Sequence, residues 1–255
     1  MMAILAYHKV DNKFELGLTN VRPEMFARQV FALKENGIEL SASPERANAS
    51  RDAVYLTFDD GYDCFYRNVV PVLISSGATA TVFVISDYIG RENKWDIRLS
   101  RIPFVHMNVA QLREIASLGF QVGSHSRSHR DLTRLDRESV DDELRNSKAE
   151  LEDLLGREIN EVSFPFGRYD STVVGMAKDA GYEKLYGLGS SATAGVFERV
   201  PVYKIDTPGS VMRKAEMKRY EIMKSDFIHS FAGISALISI RHKQRKSAQN
   251  EEKRA

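Results

Sequence analysis

The sequence predicts an α/β protein whose parallel strands close into a distorted (β/α) barrel. Short apolar runs alternate with amphipathic segments along most of the chain, which is the pattern of strands joined by crossover helices. The 255 residues, 43% of them hydrophobic, are enough for one domain with a full core. An open doubly wound sheet is the second choice, although no Gly-x-Gly-x-x-Gly turn follows the first strand.

The first half of the chain predicts three strands and three helices. The run at 4–7 predicts a strand, and a helix follows from Pro23, a residue suited to a first helical turn, with Phe26, Val30 and Leu33 on one face. The β-branched run TATVFVI predicts a strand buried on both faces. In chain order, the remaining elements are a strand at 54–58, a helix near 64–75, that β-branched strand at 79–85 and a helix at 109–118.

The second half repeats the alternation with shorter strands. A long charged segment with apolar residues on one side predicts a helix at 137–155. The other predicted elements are strands at 121–123 and 161–164, a helix at 171–180, and strands at 184–186 and 200–205. These repeats favour a barrel over a smaller open sheet.

Charge and cysteine content limit the function classes. The chain has 36 Lys and Arg against 35 Asp and Glu, which argues against a dedicated nucleic-acid binder. Its single cysteine, Cys64, rules out an intramolecular disulfide and a cysteine-cluster zinc site. The N-terminus MMAILAYHKVD lacks a signal-peptide pattern, and no run reaches about 18 apolar residues. We therefore expect a cytoplasmic protein.

Polar residues follow four of the predicted strands. His8 follows the first, Asp59 and Asp60 the second, and His125 and His129 the strand at 121–123, while a Pro-x-Gly turn follows the strand at 161–164. The carboxyl ends of parallel strands meet at one end of a barrel, so these residues should converge. One carboxylate and two imidazoles suit a hydrolytic metal that keeps a position open for water. The second aspartate would then serve as a general base.

Three motifs in this order resemble a known family. The strings TFDDGY, HSRSH within GSHSRSHRDL, and FPFGRYD resemble the motifs of the polysaccharide deacetylase family, which shares the NodB homology domain and is also called carbohydrate esterase family 4. The string YHKV, followed by a Pro-Glu-x-Phe helix, resembles the poly-N-acetylglucosamine deacetylase branch. The resemblance covers roughly residues 3 to 206 and implies a distorted (β/α) barrel of the NodB type.

The resemblance implies a role for each motif residue. Asp59 matches the catalytic base, and Asp60, His125 and His129 match the metal ligands. The implied metal is Zn²⁺, with Co²⁺ or Ni²⁺ as alternatives. His8 matches the general acid of the branch with an N-terminal YH motif. We expect a nearby carboxylate to raise the pKa of His8 and so favour its protonated form.

The remaining positions concern the substrate, and two depart from the family pattern. The backbone N–H of Phe166 would stabilise the oxyanion, with Gly167 and Tyr169 in the same turn. The family often has an arginine where this chain has Ser163, so Arg199 is our candidate for orienting Asp59. The tryptophan common near the fourth motif is absent there.

Three other histidines could in principle belong to the site. His229, in FIHSF, is the rival for the general acid, because most family members carry that histidine near the C-terminus. His106 and His242 show no partner pattern, and we expect neither to take part in the site.

The predicted activity is metal-dependent removal of N-acetyl groups from N-acetylated sugars or polysaccharide. The expected partners are an N-acetylated glycan or a lipid-linked or nucleotide-linked amino sugar, and no nucleic acid. Two alternatives stay open, namely allantoinase-like hydrolysis of a non-sugar amide on the same scaffold and a catalytically silent glycan-binding protein.

The C-terminal part is predicted to lie outside the catalytic domain. We expect a catalytic domain at 1–210, a helical extension at 211–240 and a charged, disordered tail at 241–255. Phe227, Phe231, Ile234 and Ile238 share one helical stripe ahead of a basic cluster. This pattern allows either a helix packed on the barrel or peripheral contact with an anionic membrane.

Overall fold

The computed structural model describes residues 3–15, 17–41, 53–93, 103–188, 194–225 and 227–228. Its strands are β1 Ile4–Tyr7, β2 Lys9–Val10, β3 Asn20–Val21, β4 Glu39–Ser41, β5 Ala53–Phe58, β6 Thr81–Val84, β7 Gln121–Ser124, β8 Glu161–Ser163, β9 Lys184–Leu188 and β10 Val196–Pro201. Its α-helices are α1 Pro23–Glu35, α2 Val70–Ser75, α3 Val109–Ser117, α4 Arg137–Leu155, α5 Ser171–Asp179 and α6 Pro208–Ala215.

Seven of the strands form a closed parallel barrel. The strand order is β1-β10-β9-β8-β7-β6-β5, and β1 also pairs with β5, which closes the sheet. The barrel predicted from the sequence is therefore confirmed. Strand β4 runs parallel to the first half of β5, and β2 and β3 pair separately.

Alternation along each strand divides the side chains between the barrel interior and the surrounding helices. On β5, Leu56 and Phe58 belong to the large core beneath the helices. Tyr55 lies inside the barrel in a smaller cluster with Ile4, Phe83 and Tyr186. Because neighbouring strand residues face opposite ways, the residue after Phe58 faces the interior, and that residue is Asp59.

The predicted helices are present and bury the predicted faces. Phe26, Val30 and Leu33 of α1 are all buried, and Pro23 occupies its first turn. Helix α4 covers the predicted range and begins at an Asp136 cap, whose carboxylate accepts the Ser139 N–H at 2.7 Å.

Most element boundaries agree with the prediction to within two residues, and two elements differ more. The last strand is Val196–Pro201 rather than 200–205. Val202 and Tyr203 lie beyond the strand and are buried, and this burial accounts for their apolar side chains. The segment predicted as a helix at 64–75 begins with a π-helical turn, Phe65–Val69, ahead of α2. Pro71 lacks an N–H and so disturbs regular α-helical bonding at this point.

Several features were not predicted or lie beyond the described ranges. Strands β2, β3 and β4 were not predicted, because each has only two or three residues, and helix α6 begins three residues before the predicted helical extension at 211–240. Helix α6 spans residue 210 and packs against α1, while the division of the chain at that residue stays a prediction. His229, His242 and the predicted tail at 241–255 lie outside the described residues. Within the described ranges, no helix is both long and apolar enough to cross a membrane.

Candidate active site

Site residues follow the barrel strands at their carboxyl ends. Asp59 and Asp60 follow β5, and His125 follows β7. The N–H of Asp59 donates to the Tyr7 carbonyl at 2.9 Å, and that of His125 donates to the Val84 carbonyl at 2.8 Å. These bonds carry the strand ladder one residue further, so the first residue after each strand has a fixed backbone.

Asp60, His125 and His129 form a group that could hold a metal ion. Oδ1 of Asp60 lies 3.6 Å from Nε2 of His125 and 3.5 Å from Nε2 of His129. The three ligand atoms all lie within 4.8 Å of one another, and all three residues are buried. One carboxylate and two imidazoles leave a tetrahedral zinc ion one open position, so the donor set fits the predicted metal.

The ligand loops contain residues in left-handed backbone conformations. Asp60, Ser126, His129 and Phe166 have φ of 72°, 61°, 60° and 60°. Among the described non-glycine residues, only Met217 shares this property. Such conformations carry strain that the surrounding structure must offset, and they concentrate at functional sites. Aspartate and histidine adopt this conformation more often than most other non-glycine residues, whereas Ser126 and Phe166 give no sequence signal for it.

The contacts of His125 suit a metal ligand. Its Nδ1–H donates to the Ser163 carbonyl at 2.7 Å, which leaves the lone pair on Nε2 directed toward Asp60. Burial lowers the pKa of His125, although Asp59 opposes the shift. Burial, followed by the nearby His125, lowers the pKa of His129 well below its ordinary value. Both imidazoles are therefore neutral at neutral pH, as metal binding requires.

His106 has a supporting contact that the sequence did not predict. Its Nδ1–H donates to the Asp60 carbonyl at 2.8 Å, and its ring stacks on Tyr62 with centroids 4.6 Å apart. The pKa of His106 is lowered to about 4, mainly by burial. The expectation that His106 has no part in the site is wrong, because it binds the backbone of a candidate ligand.

Arg199 holds the carboxylate of Asp59 through two parallel bonds. Its Nη1 lies 2.8 Å from Oδ1 of Asp59 and its Nη2 lies 2.9 Å from Oδ2. Nη2 also donates to the Ser163 hydroxyl at 2.7 Å, and Nη1 donates to Thr57 Oγ1 at 3.1 Å. Ser163, which stands where the family often has an arginine, thus leaves room for a guanidinium that comes from β10 instead.

The charge balance around Asp59 favours its ionised form. Burial alone would raise the pKa of Asp59, but Arg199 and then His125 outweigh it, so the pKa lies below the usual range. The two adjacent carboxylates thus have different partners. Asp59 faces a guanidinium, whereas Asp60 faces two imidazoles.

His8 lies close to Asp59, and its pKa shifts in the direction opposite to the one expected. Its Nε2 is 3.9 Å from Oδ2 of Asp59, and its side chain is 21% exposed. The pKa of His8 is lowered to about 4 because burial outweighs the opposing effect of Asp59, and the Arg199 cation lowers it further. The expected rise was wrong because the loss of hydration around the partly exposed imidazole outweighs the attraction of Asp59, which the sequence did not reveal.

The turn after β8 brings some of its predicted residues to the metal group. The Phe166 ring packs edge-on against His129, with centroids 4.6 Å apart. Gly167 has φ of 67°, and a Cβ there would lie 2.3 Å from Cβ of Leu188. Only glycine therefore fits at this position.

Tyr169 does not join the cluster. Its hydroxyl donates to the Glu198 carboxylate, and its ring passes over Gly187, where an added Cβ would lie 2.4 Å from Cε1. Glu198 precedes Arg199 on β10, so the two side chains face opposite sides of the strand. Tyr169 therefore lies on the far side of β10 from the Arg199–Asp59 pair, and its place beside the substrate stays a prediction.

Fold and site together define an α/β barrel with a candidate hydrolytic centre at the carboxyl ends of its strands. The sequence matches the family described as polysaccharide deacetylase over residues 46–185, which is more than half of the chain. The protein therefore belongs to the polysaccharide deacetylase family. Asp59, Asp60, His125 and His129 fall within the matched range, whereas His8 and Arg199 fall outside it.

Two curated proteins of Bacillus subtilis (strain 168) are similar in sequence. The candidate polysaccharide deacetylase YxkH is 27% identical over 190 residues, covering 71% of this chain and 62% of its own. The peptidoglycan-N-acetylmuramic acid deacetylase PdaA is 27% identical over 141 residues, covering 54% of this chain and 48% of its own. The chain thus spans about half to three fifths of the length of these relatives.

Two solved structures share the fold. The Streptococcus pyogenes deacetylase PplD, in complex with acetate, has a TM-score of 0.71 at 22% identity and covers 84% of this chain and 97% of its own. IcaB from Ammonifex degensii has a TM-score of 0.66 at 23% identity, with coverage of 84% and 94%.

Proposed function

We propose that the protein is a metal-dependent hydrolase that removes N-acetyl groups from N-acetylated sugars or polysaccharide. The observation that carries this proposal is the arrangement of Asp60, His125 and His129 around one point, next to an aspartate held by Arg199. When bound by these three residues, a divalent metal would polarise the amide carbonyl and lower the pKa of water. We propose Zn²⁺, with Co²⁺ or Ni²⁺ as alternatives.

Asp59 acts as the general base in this proposal. The bidentate contact with Arg199 fixes the plane of its carboxylate and keeps it ionised, so that it can accept a proton from the attacking water. The Phe166 turn, which packs on His129, would present a backbone N–H to the developing oxyanion.

His8 acts as the general acid that protonates the leaving amine. Because its pKa of about 4 leaves it neutral near pH 7, it would first receive the proton that Asp59 takes from the attacking water and then pass it to the amine nitrogen. His8 follows β1, the strand that pairs with β5, and Asp59 follows β5. Its separation from Asp59, 3.9 Å between Nε2 and Oδ2, makes the two residues close enough to act on one amide. The rival residue His229 lies outside the described ranges.

The substrate class is proposed from the family and its relatives. PdaA is named for deacetylation of N-acetylmuramic acid in peptidoglycan, which makes N-acetylated glycans the first class to test. Lipid-linked or nucleotide-linked amino sugars are the second class. The allantoinase-like and glycan-binding alternatives receive no support from the comparisons.

Acetate release is the direct test. The purified protein would be stripped with a chelator, reloaded with Zn²⁺, Co²⁺ or Ni²⁺, and assayed on N-acetylglucosamine oligomers, peptidoglycan and nucleotide-linked N-acetyl sugars. We expect activity to be lost with the metal and restored by at least one ion. Full activity in the stripped protein would contradict metal dependence, and release of ammonia or urea from non-sugar amides without acetate would favour the allantoinase-like alternative.

We also propose peripheral contact with an anionic membrane through the C-terminal part. Tyr220, Met223 and Phe227 are 71%, 60% and 66% exposed and follow a helical spacing, while Glu221 and Ser225 between them are buried. In sequence, this stripe continues through 231, 234 and 238 and is followed by four Lys or Arg residues within 241–246. Cytoplasmic localisation likewise stays a proposal.

Vesicle binding tests this contact. The full chain should sediment with phosphatidylserine vesicles and less with phosphatidylcholine vesicles, and binding should weaken as salt rises. Replacing Tyr220, Met223 and Phe227 by serine should reduce binding about tenfold or more. Phe31→Ser, at a residue 45% exposed on α1, is the matched control and should bind like the wild type. Absence of wild-type binding would contradict the proposal.

A further inference from the structure

The loop between the two candidate histidine ligands has a conformation that its own residues do not favour. His125 and His129 are separated by Ser126, Arg127 and Ser128. Ser126 and His129 both have positive φ, of 61° and 60°. Serine and histidine adopt this region at a free-energy cost, so other contacts must hold the loop in place.

Glu143 of α4 supplies those contacts. Its Oε2 accepts the N–H of Arg127 at 3.0 Å and the N–H of Ser128 at 2.8 Å, and its Oε1 accepts the Ser128 hydroxyl. The backbone carbonyl of Glu143 also accepts the Arg127 N–H at 3.1 Å. All of these bonds end on the loop between the two ligands.

The burial of this carboxylate is unusual. Glu143 is 3% exposed, and it forms no ion pair with Lys, Arg or His among the described residues. Backbone N–H groups and one hydroxyl therefore solvate the carboxylate in place of water. Burying an acidic group is unfavourable unless all its acceptor sites are used, so the side chain and the loop constrain each other.

Helix α4 makes a second contact immediately before the first ligand. The Ser147 hydroxyl lies 2.8 Å from the hydroxyl of Ser124, and both are buried. Ser147 lies one helical turn after Glu143, so a single helix face touches both the end of β7 and the loop beyond it. A 19-residue helix with an N-terminal cap is a rigid support for this purpose.

We propose that Glu143 is a positioning residue for the metal, holding the 126–128 backbone so that His125 and His129 face one ion. This inference rests on the proposed metal site but assigns a role to a residue that contacts neither metal nor substrate. If glutamine replaced Glu143, only the amide oxygen could accept a hydrogen bond, and the amide NH₂ group would face the N–H or hydroxyl donors of the loop. Glu143→Gln should therefore loosen the loop while keeping the shape of the side chain.

Metal affinity is the readout that separates positioning from general structural support. Zn²⁺ affinity of the stripped full chain would be measured by competition with a chromophoric chelator, and Co²⁺ loading by its visible absorption spectrum. We expect Glu143→Gln to weaken Zn²⁺ binding about 10–100-fold and to alter the Co²⁺ spectrum, with the far-ultraviolet circular dichroism unchanged. The matched control, Glu138→Gln, changes an exposed glutamate of the same helix and should leave both readouts unchanged.

Each outcome bears on the proposal. Zn²⁺ affinity of Glu143→Gln within twofold of the wild type would overturn the role of Glu143. If Glu143→Gln fails to fold, Ser128→Ala removes only the hydroxyl bond, and an unchanged Zn²⁺ affinity and Co²⁺ spectrum in that variant would likewise overturn it. Failure of the wild type to bind any of the ions would instead refute the metal site itself, so the two failures are distinguishable.

Discussion

The adjacent carboxylates of Asp59 and Asp60 differ in what surrounds them. Arg199 binds both oxygens of Asp59, whereas Asp60 faces His125 and His129. Asp59→Asn should therefore keep the metal but reduce turnover about 10²–10⁴-fold, as expected for loss of a general base. Asp60→Asn should lower metal content as well.

Metal content per folded protein and acetate release measure this difference. Asp59→Asn leaves a buried guanidinium with a weaker partner, so its stability should fall and only the folded fraction should be compared. Equal metal loss in the two variants would contradict the separate roles.

Replacing His8 tests the general acid. His8→Ala should reduce turnover about 10²–10⁴-fold with metal content unchanged, because the imidazole lies 3.9 Å from Asp59 and outside the group of three ligands. The loss should be largest for substrates with a poor amine leaving group, measured by acetate release. His229→Ala is the control, and a larger effect there than at His8 would reverse the assignment.

The residues that gather in the site could be predicted where they belong to a sequence motif. Asp59, Asp60, His125 and His129 lie together, and Arg199 reaches Asp59 from a strand far along the chain. Local sequence could not reveal the contacts of Glu143 and His106, because each depends on how a distant element packs against a loop. The motif likewise does not show on which side of β10 the Tyr169 ring lies.

At the scale of single elements, strand β8 places one acidic side chain, Glu161, in the barrel interior. Glu161 of β8 accepts bonds from the hydroxyls of Tyr186 at 3.2 Å and Tyr55 at 3.4 Å, and Lys184 lies 3.4 Å away. Burial raises the pKa of Glu161 above its ordinary 4.5, although Lys184 opposes the shift. The folded protein therefore keeps this proton at pH values where the unfolded chain has lost it, which favours folding at low pH.

This linkage predicts a pH-dependent effect of Glu161→Gln. In the wild type, the protonated Glu161 carboxyl contributes fully to the free energy of unfolding below about pH 4.5, and this contribution is lost as the pH rises through the pKa of Glu161 in the folded protein. The free energy of unfolding of the variant, relative to the wild type, should therefore increase from pH 4.5 to pH 7. Urea denaturation at several pH values measures it, and a constant difference across this range would contradict the raised pKa.

Elements with strong periodicity were predicted well, and boundaries set by tertiary packing were not. The β-branched core run contains β6, and α4 has its predicted bounds. Val202 and Tyr203 look like strand residues, but the chain leaves β10 at Pro201 and buries them in a turn where Asp206 accepts the Tyr203 N–H at 2.8 Å. Burial alone does not distinguish a strand from a packed loop.

At the scale of the whole molecule, a buried ion pair ties α6 to the barrel. Nζ of Lys214 lies 2.5 Å from Oδ2 of Asp206 and donates to the Pro201 carbonyl at 2.7 Å, and both side chains are 1% exposed. Lys214→Met keeps the apolar stem but leaves the Asp206 carboxylate with the Tyr203 N–H, at 2.8 Å, and the more distant Lys224 cation, at 3.7 Å. We expect it to lower the free energy of unfolding by about 3–5 kcal/mol.

Chemical denaturation measures this loss, with Lys218→Met as its control. Lys218 has a side chain that is 60% exposed, with Glu216 3.4 Å away, so its replacement should change stability by less than about 0.5 kcal/mol. Similar losses in the two variants would show that the buried pair does not anchor α6.

The closure of the barrel through β1 has a consequence for synthesis on the ribosome. Strand β1 is made before every other barrel strand, yet one of its two neighbours, β10, is the last barrel strand to be made. Until β10 leaves the ribosome, β1 has an open edge and Asp59 lacks the guanidinium that holds it. A nascent chain therefore cannot form the Arg199–Asp59 pair until almost the whole domain has been translated.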